Sequence, residues 1–156
     1  MSLRLYEIIP TESTQERAAV RNYSALYVHL VWATWKREPL IVPRLEKDLY
    51  RGIQAEVRRY GCTVLALGGT GDHVHLLVEM TPSLAPSRLA QVVKGSSSHL
   101  ANHELESEGL FRWQEGYGAF TVSRWDIPRI AAYIQDQKHH HQEGTLLPDL
   151  ETIDPF

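Results

Sequence analysis

Two runs of strand-forming residues, Cys62-Thr63-Val64-Leu65-Ala66-Leu67 and Val74-His75-Leu76-Leu77-Val78, are separated only by Gly68-Gly69-Thr70-Gly71-Asp72. Turn-forming residues between two such runs predict an antiparallel hairpin, and the rest of the chain must pack around it. Upstream, Tyr27 to Thr34 is rich in β-branched and aromatic residues and predicts a first strand, closed by the turn-like Lys36-Arg37-Glu38-Pro39. From Pro43 the period changes: Leu45, Leu49, Ile53 and Val57 recur every four residues, giving an amphipathic helix that ends at Gly61. Downstream, Pro82 and Pro86 break the chain before Leu89, Val92, Val93 and Leu100, which predict a second helix containing the soft patch Gly95-Ser96-Ser97-Ser98. An acidic connector runs from Glu104 to Glu115, a fourth strand from Gly118 to Ser123, and a last helix from Asp126 and Pro128 to about Gln142. This order predicts the α+β class: a ferredoxin-like (split βαβ) sandwich, its sheet mostly antiparallel with helices on one face.

A chain of 156 residues, 43% apolar, suits one domain with its own core. Its expected organisation is an irregular N-terminal extension over 1–24, the domain over 25–142, and an acidic C-terminal tail over 143–156 without helical pattern. Cys62 is the single cysteine, which excludes an intramolecular disulfide and suits a reducing compartment. Neither a signal-peptide pattern nor a run of eighteen apolar residues occurs, so the expected location is cytoplasmic, with no membrane partner. The net charge of −3 gives no global attraction to phosphate, but it is unevenly spread. Residues 36–59 hold seven basic and four acidic side chains, whereas the tail from Glu143 holds four acids and no base. A local positive stripe therefore remains available.

His73 and His75 lie two apart on a predicted strand, so both imidazoles project from one face and could pinch a metal ion. Such a pair is also common as ordinary polar decoration near a strand end. Glu79 shares that face by alternation. In the last helix, Tyr133 and Gln137 are four apart and stack on one side, at the border of the apolar stripe Ile127, Ile130, Ala131 and Ile134. A border tyrosine is often a packed ring with its hydroxyl in water. Next to a glutamine carbonyl that could serve as a hard third ligand, it is also a candidate nucleophile. Tyr117 competes for that role, but has no ligand partner at fixed spacing. His139-His140-His141 resembles a chelating tract, yet successive helical residues point about 100 degrees apart, and a cationic helix end is the simpler reading. His29 reads as an isolated structural histidine. Of Trp32, Trp35, Trp113 and Trp125, any exposed one could stack on an unpaired base.

Together these segments resemble the HUH single-tyrosine transposases, a family that includes transposases of small insertion sequences and repeat-associated tyrosine transposases. Asp72-His73-Val74-His75-Leu76-Leu77-Val78 is similar to the family's His-hydrophobic-His strand with its leading acid. Trp113 to Ser123 is similar to the strand before the catalytic helix, and Tyr133-Ile134-Gln135-Asp136-Gln137 falls where the family keeps its nucleophile and third ligand. Tyr27 to Trp32 and Lys94-Gly95-Ser96-Ser97-Ser98 also resemble family segments, so the likeness spans roughly residues 25–142. It implies that His73, His75 and Gln137 bind Mg²⁺ or Mn²⁺, and that Tyr133 attacks a DNA phosphodiester to leave a 5′-phosphotyrosine and a free 3′-hydroxyl. It further implies a homodimer in which the tyrosine helix of one subunit can complete the His pair of the other, and single-stranded DNA with hairpin ends as substrate. Lys36, Arg37, Lys94 and Ser96 are then the expected DNA contacts.

Two rivals stand beside that reading. One is another metal-dependent phosphodiesterase, although the histidine-triad hydrolases need a third histidine where Leu77 stands. The other is a catalytically inactive relic that only binds DNA hairpins.

Overall fold

The computed structural model describes residues 22–105 and 110–153, so most of the expected N-terminal extension and part of the acidic connector lie outside the described residues. The four-residue apolar spacing after Pro43 forms helix α1 (Pro43–Arg59), with Leu45, Leu49, Ile53 and Val57 all buried. Gly61, at φ +80°, takes the left-handed position that ends it. Strands β1 (Tyr27–Ala33), β2 (Thr63–Gly69), β3 (His73–Glu79) and β4 (Gly118–Thr121) form one sheet in the order β2-β3-β1-β4, every neighbouring pair antiparallel. This is the split βαβ arrangement that the element order predicts.

Helix α2 (Pro86–His103) runs unbroken through Gly95 to Ser98. Each of the three serine hydroxyls donates to the carbonyl three residues earlier, and Ser97 also accepts from Trp113 Nε1 at 2.9 Å. The polar patch is therefore satisfied locally. α1 and α2 cover one face of the sheet, where Val28, Leu30 and Trp32 of β1 meet Val74, Leu76 and Val78 of β3 in the main core.

The other face is covered as well. Helix α3 (Ile127–Gln135) sets Ile130 and Ile134 against Ala66 and Leu77, so the expectation of helices on one face holds for α1 and α2 and not for the last helix. Sheet residues pointing that way are thereby withdrawn from water, which is why six of the seven residues of β3 are buried. Gly68 permits the approach: a Cβ there would lie 2.1 Å from the Ile134 carbonyl oxygen. The expected single last helix is broken at Asp136 (φ −105°, ψ 26°), giving α3 and a second piece, α4 (Gln137–Glu143), that stops at Gly144. The tail then folds back as one helical turn, α5 (Pro148–Glu151), where no helical pattern was expected. Among the described residues no helix is long and apolar enough to cross a membrane.

Candidate active site

His73 and His75 project from β3 onto the face covered by α3 and the tail, and both are fully buried. Buried imidazoles need partners, and each is held from behind. His73 Nδ1 donates to Asp72 Oδ1 at 2.7 Å and lies 2.9 Å from Thr70 Oγ1, which donates to the same carboxylate oxygen. Burial opposes the charge on Asp72, but the hydrogen bonds from His73 and Thr70 prevail and keep its carboxyl below the usual range. His75 Nδ1 meets Nε2 of His29 on β1 at 2.8 Å, with the two rings stacked at 5.1 Å. Burial, then the neighbouring His75, push His29 down to about 3, so it is neutral. Burial likewise lowers His75. With both Nδ1 atoms engaged, the Nε2 atoms of His73 and His75 aim into one space.

Three further side chains converge there. Gln137 is the first residue of α4 and is buried, and its Nε2 donates to the Tyr133 carbonyl at 3.3 Å. That bond turns its Oε1 toward His73 Nε2 at 3.1 Å. Glu151 Oε2 lies 3.2 Å from His75 Nε2 and 3.4 Å from His73 Nε2. His141 Nε2 lies 3.2 Å from both His73 Nε2 and Gln137 Oε1. Nitrogen and oxygen atoms gathered this closely can share a positive charge among them. Ligand bonds of about 2.1 Å at right angles would set donors about 3.0 Å apart, so these spacings suit a divalent ion. His73, His75 and Glu151 form a cluster that could hold one, their ligand atoms all within 4.8 Å of each other.

Tyr133, on α3, is buried beside this cluster. Its hydroxyl donates to Glu151 Oε1 at 2.5 Å and accepts from the Leu147 backbone N–H at 3.1 Å. Its ring stands edge-on to His75, centroids 6.1 Å apart. Burial, then the bond to Glu151, raise the phenol above its ordinary value. For Glu151 burial also raises the carboxyl, but its hydrogen bonds with His75 and Tyr133 prevail and bring it down to about 2.

The structure thus brings Tyr133, His73, His75 and Gln137 together within one chain. Glu79 is not among them: it pairs with Tyr27, whereas His73 pairs with Ala33, six residues and about 20 Å further along the strand. Tyr117 packs against the core on the opposite face. His29 is a partner of His75 and not an isolated residue. Of the three consecutive histidines only His141 reaches the donor cluster, while His140 lies against the Tyr133 ring, centroids 4.6 Å apart.

Lys36 and Arg37 are exposed on consecutive left-handed residues (φ 51° and 58°) and line a cleft of about 670 Å³ shared with Gln114, Pro148 and Glu151. Lys94 and Ser96 are used differently. Lys94 Nζ donates to the carbonyls of Gln114 and Gly116 at 2.8 and 2.7 Å, and Ser96 donates to Val93. Both sit on α2, across the sheet from the imidazoles. Sequence reasoning missed Glu151 altogether. The available signal was Pro148-Asp149-Leu150-Glu151, a proline followed by acids at a helix start.

A buried pair of imidazoles, an amide and a carboxylate set against a tyrosine hydroxyl form a site that could hold a cation beside a hydroxyl group. The family model of the IS200-like transposases matches residues 22–137. The chain belongs to this family and is a transposase. It is 31% identical over 140 residues to the ISDra2 transposase TnpA of Deinococcus radiodurans, covering 85% of this chain and 96% of that one. Its fold is similar to the crystal structure of a transposase from Deinococcus radiodurans R1 (27% identity, TM-score 0.57, covering 75% of this chain and 95% of that one). It is also similar in fold to a REP-associated tyrosine transposase solved with a REP hairpin bound (15% identity, TM-score 0.57, 81% and 74% covered).

Proposed function

We propose that this transposase cuts and rejoins single-stranded DNA with hairpin ends, Tyr133 forming a 5′-phosphotyrosine, while His73, His75, Gln137 and Glu151 hold Mg²⁺ or Mn²⁺. The observation that carries the reading is the Tyr133 hydroxyl standing on the same carboxylate that faces both imidazoles. A divalent ion bound there would neutralise the non-bridging oxygens of a phosphodiester and stabilise the departing oxygen.

The chain's own groups do the rest. In the forward step the bond from Tyr133 Oη to phosphorus forms as the bond from phosphorus to the 3′ oxygen breaks; the phenol loses its proton and the 3′ oxygen gains one. Leu147 N–H, already on Oη, supports negative charge developing there. Phenol is also a good leaving group, its ordinary pKa being near 10, so attack by a 3′-hydroxyl reverses the step and rejoins strands without ATP. Lys36 and Arg37, on the rim of the cleft beside Glu151, supply phosphate contacts for the incoming strand. The chain works as a homodimer.

The test is incubation of the full chain with labelled single-stranded hairpin DNA and Mn²⁺, followed by a denaturing gel. The expected result is a protein-linked fragment that disappears in Tyr133→Phe and persists in Tyr117→Phe. Hairpin binding without any adduct in the wild-type chain would leave the inactive relic as the correct reading.

A further inference from the structure

The donor cluster contains one imidazole that neither the His-x-His strand nor the tyrosine helix accounts for. His141 sits one helical turn after Gln137 on α4, so the two side chains share a face of that helix. The break at Asp136 starts a new helical segment at Gln137 and directs this face toward β3. His141 Nε2 consequently lies 3.2 Å from His73 Nε2, 3.2 Å from Gln137 Oε1 and 3.9 Å from Glu151 Oε2. Its ring tilts against that of His73 with centroids 4.7 Å apart. The two preceding histidines point elsewhere: His139 is exposed, and His140 bonds Thr145 Oγ1 at 2.8 Å.

We infer that His141 is a third imidazole ligand of the metal ion, giving a centre of His73, His75, His141, Gln137 and Glu151 that favours a first-row transition ion over Mg²⁺. This rests on the metal-binding reading of the site. The preference follows from donor chemistry: Mg²⁺ binds oxygen and retains its waters, whereas imidazole nitrogen suits Mn²⁺, Co²⁺ and their neighbours increasingly along the series. Two imidazoles among oxygen donors leave the choice nearly open, and a third tilts it. Five protein donors still leave one of six positions for a phosphate oxygen. His141 also stands at the solvent edge, its side chain 31% exposed against 0% for His73 and His75, so it can join after the ion has entered.

The experiment uses the full, metal-stripped chain and titrates Co²⁺ by visible absorption, then displaces it with Mg²⁺ or Mn²⁺. Wild type, His141→Ala, His139→Ala and His73→Ala are compared, each first shown by circular dichroism to be folded in chelator. His141→Ala is expected to weaken Co²⁺ binding by at least about tenfold. It should also change the shape of the Co²⁺ band and narrow the margin of Mn²⁺ over Mg²⁺, while His139→Ala matches wild type. If His73→Ala abolishes binding but His141→Ala binds Co²⁺ with unchanged affinity and band, His141 is no ligand and the remaining site stands. Binding that survives His73→Ala overturns both readings together.

Discussion

Glu151 Oε1 accepts a 2.5 Å hydrogen bond from the Tyr133 hydroxyl, while Oε2 of the same carboxylate faces His73 and His75. One side chain of the tail thus links the Tyr133 hydroxyl to the donor cluster. α5 has a single turn and could not persist by helix propensity, so its position depends on interactions of this kind and on Leu150 against the smaller core.

Removing the charge with Glu151→Gln should cost stability in a pH-dependent way. The carboxyl sits at about 2 in the fold against an ordinary 4.5. A depressed folded-state value stabilises the fold fully above the unfolded value and loses that stabilisation as pH falls toward the folded one. Partial solvent screening reduces the benefit to on the order of 1–2 kcal/mol. Urea denaturation of metal-free protein should therefore show wild type ahead of the variant above pH 4.5, with the gap closing between 4.5 and about 2. A gap of constant size across that window would mean the charge is not what anchors the tail.

His29→Leu should act through His75. The substitution removes the hydrogen-bond partner at 2.8 Å and leaves His75 Nδ1 buried without one, a loss of about 1–3 kcal/mol. It also frees the ring to turn its Nε2 away, so Co²⁺ affinity should drop about 10- to 100-fold. Thermal denaturation and metal titration check the two effects separately, and wild-type affinity in a merely destabilised variant would restore the purely structural reading of His29.

Two glycine-to-alanine changes should have opposite signs. At Gly68 a Cβ meets the Ile134 carbonyl at 2.1 Å, so α3 must move, at a cost of about 1–3 kcal/mol and with displacement of Tyr133 from Glu151. At Gly95, inside α2, a Cβ meets nothing within 4 Å, and alanine should stabilise by roughly 0.5–1 kcal/mol. Denaturation midpoints decide both, and DNA-adduct formation should slow only in Gly68→Ala.

What could be read from sequence was whatever local pattern dictates. Spacing fixed the four-residue stripe of α1, the hairpin around Thr70 to Asp72, and the shared faces of His73 with His75 and of Tyr133 with Gln137. What escaped depended on tertiary packing. Glu151 has no periodic neighbours, and its value comes from three residues far away in the chain. His29 looked isolated because its partner is 46 positions distant. Lys94 and Lys36 are indistinguishable as lysines in polar stretches, and only the fold sends one ammonium onto carbonyls and the other to a cleft rim. Among the tryptophans, burial separates Trp32 (0% exposed) and Trp113 (7%) from Trp125 (83%), leaving Trp125 as the one best placed to meet an unpaired base.

The two classes of lysine can be told apart by salt. Lys36 and Arg37 are exposed beside the cleft, and Arg37 reaches Asp72 only at a loose 3.9 Å, so their charges are free to neutralise phosphates. Replacing either one with alanine should weaken single-stranded DNA binding and lower the slope of log affinity against log salt by about 0.7. Lys94→Ala removes two hydrogen bonds of 2.8 and 2.7 Å to Gln114 and Gly116. It should therefore lower stability by about 1–3 kcal/mol, with an unchanged salt slope. Fluorescence anisotropy over a salt series, paired with urea denaturation, separates the two outcomes. A reduced slope in Lys94→Ala at wild-type stability would return that lysine to the DNA interface.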